Sequence, residues 1–210
     1  MKTKKYLLVG ALILSLSTPA IAQNDSYKAA LNPIISAIEA APNDVNAGKE
    51  LIKDYLKTYK KDEQALTALG NVYLAQRNFA EAMKIANSIV SNKKMNGTLG
   101  YLLLGDIVAL QDSVGNAGAA AQNYATAISL DPHNVAAYER YAKVYRHVNP
   151  QVSVQKLEEL RQVEPNYPVE ATAAEIMLGD GKYAEALSWF DKANRANRSE
   201  ERRVGKECAS

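Results

Sequence analysis

Two histidines, one cysteine and a few neighbouring acids are the side chains of this 210-residue sequence that could carry chemistry. Their spacing argues against each reaction in turn. His133 follows Pro132, and His147 stands just before Asn149-Pro150, so both read as exposed turn residues rather than ligands. A zinc site needs three or four converging N, S or O donors, as in H-E-x-x-H, and the sequence holds no such motif and no cluster of acids at ligand spacing. Glu158-Glu159 read as a solvated helix face, not as an acid–base pair. Gly179-Asp180-Gly181 offers glycines that a phosphate loop would use, but it precedes Lys-Tyr-x-x-Ala and reads as a turn between helices. There is no P-loop and no G-x-S-x-G nucleophile elbow. The residues point to no catalytic set, no cofactor and no metal.

What positions these side chains is a run of amphipathic helices. In the stretch Ala120–Tyr145, Ala120, Tyr124 and Ala127 lie at i, i+4 and i+7 and share one helix face. Pro132 closes that helix, since it has no N–H to donate and its φ is locked. Asn134 can then cap a second helix, on which Tyr138, Tyr141, Ala142 and Tyr145 share a face. The tyrosines therefore read as core residues at helical spacing, not as a platform for stacking bases or sugars.

The same helix–turn–helix unit recurs. Expected pairs run over Asp25–Ala41 with Val45–Lys60, then Glu63–Ser91, Thr98–Leu130, Val135–Val163 and Val169–Ala193. Equivalent second-helix positions Gly48, Ala82, Ala120, Ser153 and Ala186 are 34, 38, 33 and 33 residues apart, and the long interval coincides with the Gly-rich turn Asp112–Gly118. Asn78 followed by Glu81 has the form of a capping box. Pro33 is expected near the start of the first helix. Leu66, Leu69, Gly70 and Tyr73 in one first helix, Tyr101, Leu104 and Gly105 in the next, and Ala186 with Phe190 in the last second helix resemble the tetratricopeptide pattern W-x2-L-G-x2-Y, A-x3-F, P. The resemblance implies an all-α fold: a right-handed superhelix of about five antiparallel helix pairs. The small residues Gly70, Gly105 and Ala142 are expected where the two helices of one pair approach most closely.

The two ends read differently. Lys2, Lys4 and Lys5, the apolar run Tyr6–Leu16 and Ala20-Ile21-Ala22 have the form of a secretory signal peptide over 1–22, with cleavage before Gln23. The expected location is thus exported, periplasmic or secreted. No cysteine follows the apolar run to take a lipid, and no later stretch is long and apolar enough to span a membrane. Arg198–Cys208, RSEERRVGKEC, resembles the in-frame translation of a widely used DNA sequencing adapter. The expectation is a non-native tail over 198–210, with Cys208 not native and the natural chain continuing past about Asn197. Setting both ends aside leaves a repeat domain over 23–197 with 18 basic and 20 acidic residues, a net charge of −2 against +2 for the whole sequence. Neither a basic patch nor an aromatic platform argues for nucleic acid.

In proteins that this sequence resembles, first helices line a concave groove, and positions two, five and nine of each choose the partner. Mapped by that resemblance, the groove residues are Gln64, Thr67 and Asn71, then Leu99, Leu102 and Asp106, then Glu139 and Lys143 with Arg146. Leu99 and Leu102 would form an apolar strip beside the charges Asp106, Glu139, Lys143 and Arg146, a combination suited to an extended peptide. The family's clamp for C-terminal carboxylates needs basic residues where Thr67, Leu102 and Glu139 stand. The expected function is a non-catalytic scaffold for a protein or peptide partner. Two other readings share the sequence: an interaction domain of a longer exported enzyme, and a carbohydrate-capture helical-repeat protein, which would usually carry a lipid-anchoring cysteine and exposed aromatics.

Overall fold

The computed structural model describes residues 26–41, 44, 46–112 and 115–207. The stretch read as a signal peptide, Pro42, Val45, part of the turn after Asp112, and Cys208 lie outside the described residues. Among the described residues there are ten α-helices and no strand: α1 Ser26–Ala40, α2 Lys49–Tyr59, α3 Glu63–Ala75, α4 Phe79–Val90, α5 Thr98–Gln111, α6 Ala117–Leu130, α7 Val135–Tyr145, α8 Pro150–Val163, α9 Val169–Gly179 and α10 Tyr183–Glu207.

Side-chain oxygens set most of the starts. Asp62 accepts the Ala65 N–H at 3.0 Å, Asn78 that of Glu81 at 3.2 Å, and Asn134 that of Ala137 at 3.2 Å. Each satisfies an amide that the first turn leaves without an intrahelical partner. Asn149 accepts from both Gln151 and Val152, and Pro150 follows it in the first turn, where its missing N–H costs nothing. Two boundaries differ from expectation. α2 begins at Lys49, after Gly48 adopts φ 70° as its N-cap, so Gly48 stands before the helix rather than on its buried face. Pro33 sits inside α1, not in its first turn.

Helices pack in chain order, each second helix covering its own first helix and the next pair's, so the fold is a solenoid of five helix pairs. Its core is accordingly segmented. One cluster runs from Leu31 and Ile34 of α1 to Leu103 and Ile107 of α5; a second joins Leu102, Ala120, Tyr124 and Ala137; a third joins Ala142, Leu157, Val169 and Ile176. α5 lies between the first two. It buries Leu103 and Ile107 on one side and Leu102 on the other, which explains why its sequence, TLGYLLLGDIVALQ, shows no polar stripe.

Glycines permit two of the close approaches. A Cβ on Gly105 would lie 2.7 Å from Cδ1 of Tyr124, so that ring packs directly on the α5 backbone of its own pair. Gly70 differs from expectation. A Cβ there would collide first with Leu103 of the next pair, and would reach Ile85 of its own pair only at 3.4 Å.

Polar ties cross from pair to pair. The Glu63 carboxylate of α3 accepts the Gly97 N–H at 3.1 Å and the Leu99 N–H at 2.7 Å, placing a negative charge on the N-terminus of α5. Tyr55 donates to the Ala65 carbonyl at 2.9 Å, and Tyr167 donates to Glu139 at 2.9 Å. Both histidines join this set: His133 Nδ1 lies 2.8 Å from Glu164, and His147 Nδ1 lies 3.2 Å from Asp180.

The two outer faces are unlike. α1 turns Lys28, Asn32, Ser36 and Glu39 outward. α10 turns out Tyr183, Leu187 and Phe190, although their counterparts 33 residues earlier, Pro150, Val154 and Leu157, are buried. α10 also runs on without a break through Arg198 to Glu207, beyond the expected end of the fifth pair at Ala193.

Candidate partner-binding groove

The first helices do not form an even wall. α1 packs on α3 and α3 on α5; α5 and α7 meet through the cluster of Leu102, Ala137 and Val144 and through the Asp106–Arg140 pair, and a cleft of about 280 Å³ opens between their last turns. Ala109 and Leu110 line it from the last turns of α5; Tyr124 of α6 forms its floor; Arg140, Lys143 and Val144 of α7, with Arg146 and His147 just after it, form the far side. Arg140 and Lys143 fall at i and i+3 of α7 and so share one face of it.

A half-buried carboxylate organises the floor. Asp106 Oδ2 receives Arg140 Nη1 at 2.7 Å, and its Oδ1 receives the Tyr124 hydroxyl at 2.9 Å. Burial pushes the Asp106 carboxyl above its ordinary range, while the Arg140 charge and the Tyr124 hydrogen bond pull in the other direction. Burial likewise raises the Tyr124 phenol, and the Asp106 charge adds to that. Arg140 is thereby neutralised and fixed, and it ties α5 to α7 across one repeat.

The nine expected groove residues divide. Gln64 and Asn71 are exposed on α3, and the hydroxyl oxygen of Thr67 is buried with no hydrogen-bond partner. Leu99 is half-buried against the second core cluster, with its N–H held by Glu63. Leu102 is 3 % exposed and belongs to that cluster outright. The apolar strip expected from Leu99 and Leu102 is therefore not a groove surface: α5 is covered on that side by α6 and α7. Asp106 sits beneath the cleft, and Glu139 is engaged by Tyr167. Lys143 and Arg146 reach the cleft itself.

Leu110, Arg140 and His147 were not among the expected residues. Leu110 is 49 % exposed and supplies the apolar rim that Leu102 does not. The spacing of 34 between Asp106 and Arg140, one repeat, was the available signal for that pair. Nothing in the local sequence marks Leu110. Among the described residues no group of three or more His, Cys, Asp or Glu is placed to hold a metal ion, and no helix is long and apolar enough to cross a membrane.

This geometry defines a helical-repeat solenoid of the tetratricopeptide type. No protein-family model matches the sequence, and no curated protein does. Solved structures do share the fold. A crystal structure of MamA superposes with a TM-score of 0.53 at 19% identity, covering 78% of this chain and 95% of that one. A second MamA structure gives 0.55 at 18%, covering 86% and 96%. TTC0263, a thermophilic TPR protein in Thermus thermophilus, gives 0.55 at 20%, covering 86% and 98%. At such identities the likeness is one of fold.

Proposed function

We propose that this protein is a non-catalytic interaction scaffold that binds a protein or peptide segment along its first helices, centred on the α5–α7 cleft. The observation that carries the reading is the cleft itself: an opening in the row of first helices that brings exposed Leu110 together with Lys143 and Arg146. An apolar anchor beside charges suits an extended segment, which needs both a pocket and a register. The partner is thus protein rather than nucleic acid. Export follows as a further part of the proposal, from the form of residues 1–22 alone; intact-mass analysis of the exported chain should show a start at Gln23.

Site-specific photocrosslinking tests the groove. A benzophenone side chain at Lys143 should trap a partner from the compartment where the protein resides, whereas the same group at Gln155, exposed on second helix α8, should not. Trapping from position 155 alone would place the binding face on the other side of the solenoid.

A further inference from the structure

We infer that the α5–α7 cleft takes an acidic side chain from within an extended partner segment, held between Lys143 and Arg146 with an apolar neighbour on Leu110. This deepens the groove reading above and rests on it. The cations at the cleft are not equal. Arg140 is neutralised by Asp106 at 2.7 Å. His147 faces Asp180 at 3.2 Å through Nδ1. Among the described residues, none forms a hydrogen bond or ion pair with the Lys143 ammonium. None offers Arg146 a carboxylate either; its Nε donates to Nε2 of His147 at 3.0 Å. That bond requires Nε2 to accept, so the network assigns the imidazole proton to Nδ1, where Asp180 receives it. The chain Asp180–His147–Arg146 therefore aims the guanidinium without cancelling its charge. Gly179 of α9 lies beside it, where even a Cβ would be in ordinary contact with Arg146 Nη1, at 3.5 Å.

Lys143, and Arg146 with no carboxylate bonded directly to it, thus line one opening, and size and surroundings narrow what fills it. A volume of about 280 Å³ lies just below the range of roughly 300–1,000 Å³ for small-molecule sites, and suits one or two side chains of a longer segment. Leu110, Ala109 and Val144 give part of the lining an apolar character that a phosphate chain would not use. Tyr124 cannot stack a base, because its ring is buried against Gly105. The chemistry that fits is a carboxylate side chain followed by an aliphatic one.

Fluorescence anisotropy with the folded chain tests this. The probes are labelled hexapeptides, acetylated and amidated so that no terminal carboxylate is present: one carrying Glu and Leu, one with Gln for each Glu, one with Lys for each Glu, and a labelled oligothymidylate. The acidic peptide should bind about tenfold or more tightly than the Gln peptide, and weaken as salt is raised. Lys143→Glu with Arg146→Glu should abolish that preference and favour the Lys peptide, with helicity unchanged. Equal binding of the Glu and Gln peptides would overturn the inference, as would binding of none of them, or tighter binding of the oligonucleotide. If the Gln peptide binds and Leu110→Glu removes it, the groove reading stands while the charge inference falls. Crosslinking from position 155 alone would instead sink the groove reading.

Discussion

Leu102→Ala is the substitution that most sharply separates a buried α5 from a groove-lining one. The residue is 3 % exposed, so truncation removes three buried carbon atoms, a transfer loss of about 2.4 kcal/mol at ~0.8 kcal/mol per group. A cavity term adds to this. Ala120, Ala121 and Ala137 share its cluster and are too short to reach into the hole, so the site collapses poorly. The expected cost is about 3–4 kcal/mol, in the middle of the range for Leu→Ala in cores. In a chain of this size that lowers Tm by roughly 6–16 °C. The loss is also local. Leu102 lies where the first core cluster gives way to the second, so its removal should loosen α6–α7 from the α1–α5 block and broaden the transition. The assay is urea unfolding followed by far-ultraviolet circular dichroism, with Leu110→Ala as the control; at 49 % exposure that control should cost under about 1 kcal/mol. If Leu102→Ala proved as mild as the control, or Leu110→Ala the more damaging of the two, α5 would be turned about its axis relative to this structure and Leu102 would face the groove after all.

Other outcomes follow from the same packing. Gly105→Ala should cost about 1–3 kcal/mol, because the Tyr124 ring cannot bend away from a new Cβ; Gly70→Ala should cost less, since it meets the tip of Leu103, and equal losses in urea titrations would count against that distinction. Glu63→Ala removes the acceptor for two α5 amides and should cost about 1.5–3 kcal/mol, with Gln intermediate; hydrogen exchange at Gly97 and Leu99 should quicken in the Ala variant, and unchanged exchange would mean the carboxylate does not hold that helix start. Asp106 has its folded pKa raised, so the native chain binds its proton more readily than the unfolded one. Its contribution to stability grows as pH falls from neutral toward about 4, the unfolded value, and is lost as pH rises through the folded pKa. Melting temperatures of the parent should therefore gain on those of Asp106→Asn as the pH is lowered, and a parent that instead falls behind would show that Arg140 and Tyr124 outweigh burial.

Much of this architecture is a property of short stretches, and the sequence determined it unaided. Helix starts at Asn78 and Asn134, the end of α6 before Pro132, and the repeat of small residues near 33 depend on the chemistry of a few adjacent residues. A cap needs only an oxygen within reach of an amide two or three positions on, and a proline stops a helix whatever lies around it. Where sequence reasoning erred, the deciding contact came from elsewhere in the chain. Whether Leu102 or Leu110 faces the groove depends on how far α6 and α7 cover α5, and an all-apolar helix carries no stripe to show its orientation. Gly70 was assigned to the wrong partner because its spacing is that of its own pair while its neighbour, Leu103, comes from the next. The pairing of Asp106 with Arg140, 34 residues apart, the assignment of the His147 proton toward Asp180, 33 apart, and the cleft between α5 and α7 arise from residues about one repeat apart, brought together only when one helix pair stacks on another. Local residue chemistry thus set the helices; only their stacking decided which cations are cancelled and which are left to meet a partner.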